Sequence, residues 1–126
     1  CMSTSAQSMI GTGRMESEPA VARFIAILSC YNNLTLNAGG RLTCEGDTMV
    51  QPGYVADIII ELQKSNGWGG WDTIKTWSGA DLDYVSLYQD WYVEHGTYRL
   101  KLTHRALTGS WSVVETFENY SKTVTY

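Results

Sequence analysis

The sequence predicts an all-β fold, a sandwich of about seven short antiparallel strands behind an extended N-terminal segment. Three observations carry this reading. Residues Gly96 to Ala106 alternate Tyr98, Leu100, Leu102, His104 and Ala106 against Arg99, Lys101, Thr103 and Arg105. That two-residue period belongs to a strand with one face in a core and one in water. Turn signals recur at Asn37–Gly40, Gln51–Gly53, Ser65–Gly70, Ser78–Asp81 and Thr108–Ser110. No segment holds a helical apolar stripe, and Asp81 to Tyr92 is the one place where a helix competes.

Taken in order, residues 1–20 are polar, with Gly11, Gly13 and Pro19 and no periodicity. They read as a tail, a linker or a strand that docks on a neighbour. Residues 21–126 read as one sandwich domain. Val21 to Tyr31 is largely apolar on both alternating sets, and Leu34 and Leu36 continue it. The Asn37-Ala38-Gly39-Gly40 turn follows, where glycines accept positive φ. Leu42, Cys44 and Gly46 form one face of the next strand. In Val55 to Lys64, Ala56, Ile58, Ile60 and Leu62 face the core while Asp57, Glu61 and Gln63 point out. Trp71 to Ser78 is the next strand, with a turn expected at Ser78–Asp81. Leu82 to Val93 follows, and Trp111 to Tyr126 closes the sheet, with Val113, Phe117 and Tyr120 expected in the core or at an interface.

The length of 126 residues suits one domain able to bury its own core. A net charge of −4, with scattered basic residues, argues against a nucleic-acid partner. No apolar run reaches the roughly 18 residues that a membrane span needs. Aromatic content is dominated by 8 Tyr and 5 Trp. These side chains join an apolar body to a polar edge and suit half-exposed faces and interfaces.

Three cysteines are present: Cys1, Cys30 and Cys44. A hairpin through Asn37–Gly40 would bring Cys30 and Cys44 near each other. They are candidates for a disulfide in an oxidising compartment, or for two buried thiols. Cys1 is then unmatched. Followed by Met-Ser-Thr-Ser-Ala-Gln, it reads as the lipid-attachment cysteine of a processed bacterial lipoprotein, an intermolecular disulfide or a cloning remnant.

Glu94-His95-Gly96-Thr97-Tyr98 resembles the tyrosine corner of immunoglobulin-like sandwiches, in which the phenol bonds back to the backbone a few residues upstream. Tyr98 and Glu94 are the candidate pair. Leu62-Gln63-Lys64, the Gly/Trp turn at Gly67–Trp71, Thr73-Ile74-Lys75-Thr76-Trp77 and Gly96-Thr97-Tyr98-Arg99 resemble small secreted proteins of Gram-positive bacteria. The likeness spans roughly residues 28 to 106. It implies an exported immunoglobulin-like sandwich from a family without an assigned activity, and it transfers no catalytic residues.

Catalytic patterns are weak. His95 and His104 lack the convergent partners of a metal site. No Gly-x-Ser-x-Gly elbow occurs, and Gly11-Thr12-Gly13 is an isolated fragment of a phosphate loop. Asp81/Asp83 and Glu115/Glu118 are carboxylate pairs of the sort that solvate turns and edges. No catalytic residue, metal or cofactor is expected. The tryptophans cannot all enter one small core. Trp77 and one of Trp91 or Trp111 are expected inside, with Trp68 exposed in its glycine-rich loop. The expected function is a non-enzymatic structural subunit of the bacterial cell surface that assembles with itself, as a filament built by N-terminal strand addition. The alternative is a glycan- or surface-binding module using Trp68, Trp71 and Tyr92.

Overall fold

Alternation along each strand decides which side chains meet between the layers. The computed structural model describes residues 26–126. The expected tail or docking strand, residues 1–20, lies outside the described residues, as do Cys1 and Val21 to Ile25.

The described strands are β1 (Ile27–Asn37), β2 (Arg41–Val50), β3 (Val55–Ser65), β4 (Trp71–Leu82), β5 (Tyr84–Tyr92), β6 (Thr97–Leu107), β7 (Val113–Tyr120) and β8 (Val124–Thr125). They form two antiparallel sheets. One has the order β1-β2-β5; the other has the order β4-β3-β6-β7, with β8 also on β6. The expected all-β sandwich is the observed fold.

The core lies between the sheets. Ile58, Ile60, Leu62, Leu100 and Leu102 from one layer and Leu34, Leu42 and Cys44 from the other are fully buried. The β3–β6 register sets Leu62 beside Leu100 and Ile60 beside Leu102, so the two most apolar strands share one inward face. Gly46 faces this cluster, and a Cβ built there would stand 2.5 Å from Leu102 Cδ2 and 2.8 Å from Ile58 Cδ1. Glycine is therefore what lets β2 approach β3 and β6 this closely.

Three expectations are corrected. Ser78–Asp81 is not a turn: β4 runs on to Leu82, and the chain reverses at Asp83, whose φ is 67°. Gly79 is a close-approach residue instead, because a Cβ there would meet Leu87 Cδ2 at 3.2 Å. Cys30 and Cys44 are free, buried thiols rather than a disulfide. The hairpin register pairs Cys30 with Thr48 and Cys44 with Leu34. An offset of four residues along a strand is about 13 Å, beyond what a disulfide spans. Neither Trp91, 39% exposed, nor Trp111, 62% exposed, enters the core; Trp77 packs against it from the rim. Of the three residues expected in the core or at an interface, Phe117 packs on the core, while Val113 and Tyr120 are half exposed.

Each pole of the sandwich gathers particular connections. Gln51 N donates to Ala26 O at 2.7 Å, so β1 begins beside the β2–β3 turn. At the other pole, Gly96 and Tyr126 exchange backbone hydrogen bonds of 3.2 and 2.9 Å. The His95 ring stacks on Tyr126 there, with centroids 4.2 Å apart. The β3–β4 turn, the end of β5 and the start of β6 share that second pole.

Candidate functional site

The β3–β4 turn is built to project a tryptophan. Asn66 N donates to Gly70 O at 3.1 Å, while Asn66 Oδ1 accepts from Trp68 N at 2.8 Å and Gly70 N at 3.2 Å. Gly67 and Gly69 take φ of 81° and 85°, conformations that cost glycine little. The tight loop leaves Trp68 91% exposed.

Trp71 opens β4 on the solvent face of its sheet, opposite Ser65. The Arg99 guanidinium lies 4.3 Å from the Trp71 ring centroid and 4.4 Å from that of Tyr120. Arg99 Nε donates to Gln63 Oε1 at 2.8 Å, and Gln63 Nε2 donates to Thr73 Oγ1 at 3.3 Å. A cation is thus held between two rings on the outer face of the five-stranded sheet. Sequence reading missed Arg99 and Tyr120 as partners of Trp71. Their signal was the outward set of the β6 alternation, which brings them within a strand of each other.

Tyr92 lies elsewhere. It ends β5 on the three-stranded sheet, is 69% exposed, and borders a cleft of about 250 Å³ shared with Lys64, Ile74, Trp91, Val93, Glu94 and Tyr98. This cleft opens between the layers, whereas Trp71 faces away from them. The structure keeps Trp68 and Trp71 on neighbouring positions and does not join Tyr92 to them.

Beneath the cleft, Tyr98 is 1% exposed, and its hydroxyl donates to Glu94 O at 2.8 Å. The bond ties the β5–β6 connection to the strand it feeds. Lys75 Nζ sits 4.8 Å over the Trp91 ring, and Trp91 meets Trp77 edge-on at 6.0 Å.

The two long sides of the sandwich differ. On one side β1 and β7 are bridged: Ala26 N and Ile27 N both donate to Glu115 Oε1 at 2.8 Å, and Asn32 Nδ2 donates to Tyr120 O at 3.4 Å. On the other side, among the described residues, β4 and β5 are both edge strands. Trp77, Leu87 and Trp91 are only partly covered along that seam.

The ionisable groups have structural employment. His104 is fully buried; its Nδ1 lies 2.7 Å from Thr48 Oγ1 and its Nε2 3.0 Å from Asn119 Oδ1. Burial outweighs the hydrogen bond to Asn119 Oδ1 and pushes the imidazole down to about 4. His95 is nine positions away along an extended chain, about 30 Å at strand spacing. Burial, the dominant cause, pushes the Cys30 and Cys44 thiols up to about 12. Asp81 Oδ1 accepts from Leu82 N, and Asp83 Oδ1 accepts from Gly53 N. Glu118 reaches Lys101 on the outer face, and Glu115 serves the start of β1. Among the described residues no cluster of three or more His, Cys, Asp or Glu side chains could hold a metal ion. No helix among them is long and apolar enough to cross a membrane. Comparison with protein-family models, curated proteins and solved structures finds no match for this chain.

Proposed function

We propose that the chain is a non-enzymatic, extracellular, immunoglobulin-like subunit of a bacterial cell surface that assembles with copies of itself by strand addition. One observation carries the reading: the long side where, among the described residues, β4 and β5 run as unpaired edges over partly covered aromatic side chains. An edge strand offers a row of free N–H and C=O groups to any extended segment. The opposite side is tied by its own side chains and offers less. The strand order and the Tyr98 corner support the immunoglobulin-like relation, and the Gly/Trp motifs support export from a Gram-positive cell.

The added strand comes from the N-terminal segment of a neighbouring copy. Head-to-tail addition that does not close into a ring gives an open filament. The test compares the full chain with a variant lacking residues 1–20, by analytical ultracentrifugation and electron microscopy. Large assemblies are expected from the first and monomers from the second. Unchanged size distributions would sink the reading.

A second reading, glycan or surface binding, rests on Trp68, whose ring is almost wholly in solvent, beside the Trp71–Arg99–Tyr120 stack. Aromatic rings of this kind stack on sugar faces. Titration with a glycan panel is expected to quench tryptophan emission in the full chain and not in Trp68→Ala. A flat response across the panel excludes it.

A further inference from the structure

We infer that β5, and not β4, is the edge that accepts the added strand; this rests on the strand-addition reading above. The layers are unequal. Three strands face a five-stranded sheet that is four positions wide, because β7 and β8 share one flank of β6, and β5 packs across from β3 and β4. The three-stranded sheet is therefore one strand short on the β5 side. A strand placed beside β5 would lie over the inward face of β4, where Lys75 and Trp77 have incomplete cover. A strand placed beside β4 would have no opposing layer.

The edges also differ in their protection. Lysines, prolines and bulges are what keep natural edge strands from pairing. The β3–β4 ladder is interrupted by a register shift at Leu62/Gln63, and β4 carries Asp72, Lys75 and Asp81. The β1–β2 and β6–β7 ladders shift register as well. The β2–β5 ladder runs from Arg41↔Tyr92 to Met49↔Tyr84 without a shift. In its nine residues β5 has no proline, glycine or lysine. Its one charge, Asp90, is spent on Thr43 at 2.7 Å and Arg41 at 3.2 Å.

The register assigns the free groups by residue. Val50 N donates to Asp83 O and Val93 N donates to Gly40 O, one bond at each end of the β2–β5 ladder. In an antiparallel pair, directly bonded positions recur every second residue. Val85, Leu87, Gln89 and Trp91 thus bond inward to β2. Tyr84, Ser86, Tyr88, Asp90 and Tyr92 turn their N–H and C=O to the open edge.

The occupant is the N-terminal segment of a second copy. Twenty-five residues precede Ala26 in the sequence, a reach of up to about 80 Å when extended. A partner for all of β5 needs about 30 Å of strand. The remainder is long enough to link neighbouring copies.

The experiment uses full-length chains and single prolines at solvent-side positions, where a proline leaves the existing ladder intact. Ser86→Pro blocks the β5 edge. Ser78→Pro does the same on β4, because Asp83 N donates to Tyr54 O and that register turns Ser78 outward. Far-ultraviolet circular dichroism checks that both fold. Ser86→Pro is expected to shift sedimentation from assembly to monomer, with Ser78→Pro unchanged. Residue-resolved hydrogen exchange on the unmutated chain gives a reading independent of variant folding. The Ser86 and Tyr88 amides should exchange at least tenfold more slowly in the assembly than in dilute monomer, and the Ser78 amide should not. Loss of assembly in Ser78→Pro alone, or slowing at Ser78 alone, overturns the choice of edge and leaves strand addition standing. Assembly that survives both prolines and the removal of residues 1–20 overturns strand addition itself.

Discussion

His104 Nδ1 stands 2.7 Å from Thr48 Oγ1, a polar contact that crosses the apolar core from one sheet to the other. Asn119 presents Oδ1 to Nε2 at 3.0 Å, and the Thr48 hydroxyl donates to Asp57 O at 3.2 Å, so the polar cluster is tied into both sheets. Burial holds this imidazole neutral down to about 4, against 6.5 for an unhindered one. The unfolded chain binds the extra proton first, so stability is complete above about pH 6.5 and is lost as the pH falls toward 4. The expected loss over that window is about 3 kcal/mol. Urea unfolding at pH 7 and pH 4.5 measures it, and a His104→Gln variant should show a shallower pH slope.

Gly46 sets the separation of the layers. A methyl group there would strike Leu102, Ile58 and Ile60 together, within 2.5–3.3 Å. Overpacking of this kind costs about 1–3 kcal/mol. Gly46→Ala should unfold at correspondingly lower urea with an unchanged slope. By contrast, Gly53→Ala meets no atom within 4 Å and is disfavoured only by its φ of 95°, so its loss should be about 1 kcal/mol.

Cys30 and Cys44 are buried, apart and held protonated. Only a thiolate attacks at a useful rate. Iodoacetamide at pH 8 should therefore label neither residue in the folded chain and both in urea, as read by peptide mass spectrometry. Dithiothreitol should leave the melting temperature of the sandwich unchanged.

Much of this core was legible because apolar alternation is a local signal. Ala56, Ile58, Ile60 and Leu62 could only bury together. Tyr98 and Glu94 were recognisable because the corner lies within five residues. What failed depended on register between strands, which no local pattern encodes. Cys30 and Cys44 looked like partners until the hairpin set them four positions apart. Gly79 looked like a turn because nothing nearby in sequence reveals Leu87 above it. Trp71, Arg99 and Tyr120 come from β4, β6 and β7, so only the sheet order assembles them. Tyr92 failed to join Trp68 and Trp71 for the same reason, since its strand belongs to the other sheet.

The Tyr98 hydroxyl tests whether the corner stabilises the fold or only accompanies it. Its bond to Glu94 O is 2.8 Å long, on a ring that is otherwise buried. Tyr98→Phe keeps the ring and removes the bond. The expected loss is about 1 kcal/mol, the usual net worth of one neutral hydrogen bond. A Glu94→Ala change should cost much less, because the acceptor is the backbone carbonyl. Equal losses in the two variants would assign the effect to the carboxylate instead.

Arg99 separates packing from charge on the outer face. Its guanidinium stacks between Trp71 and Tyr120 while Nε is fixed by Gln63. A flat fork does both at once, and an ammonium does not. Each half-exposed cation–ring contact contributes about 0.5–1 kcal/mol. Arg99→Ala should therefore lower stability by about 1–2 kcal/mol and shift tryptophan emission to the red as Trp71 gains water. Arg99→Lys should recover less than half of that loss, because it keeps the charge but not the plane. Full recovery by lysine would mean that charge alone sustains the stack, and denaturant titration of the three chains side by side decides between the two.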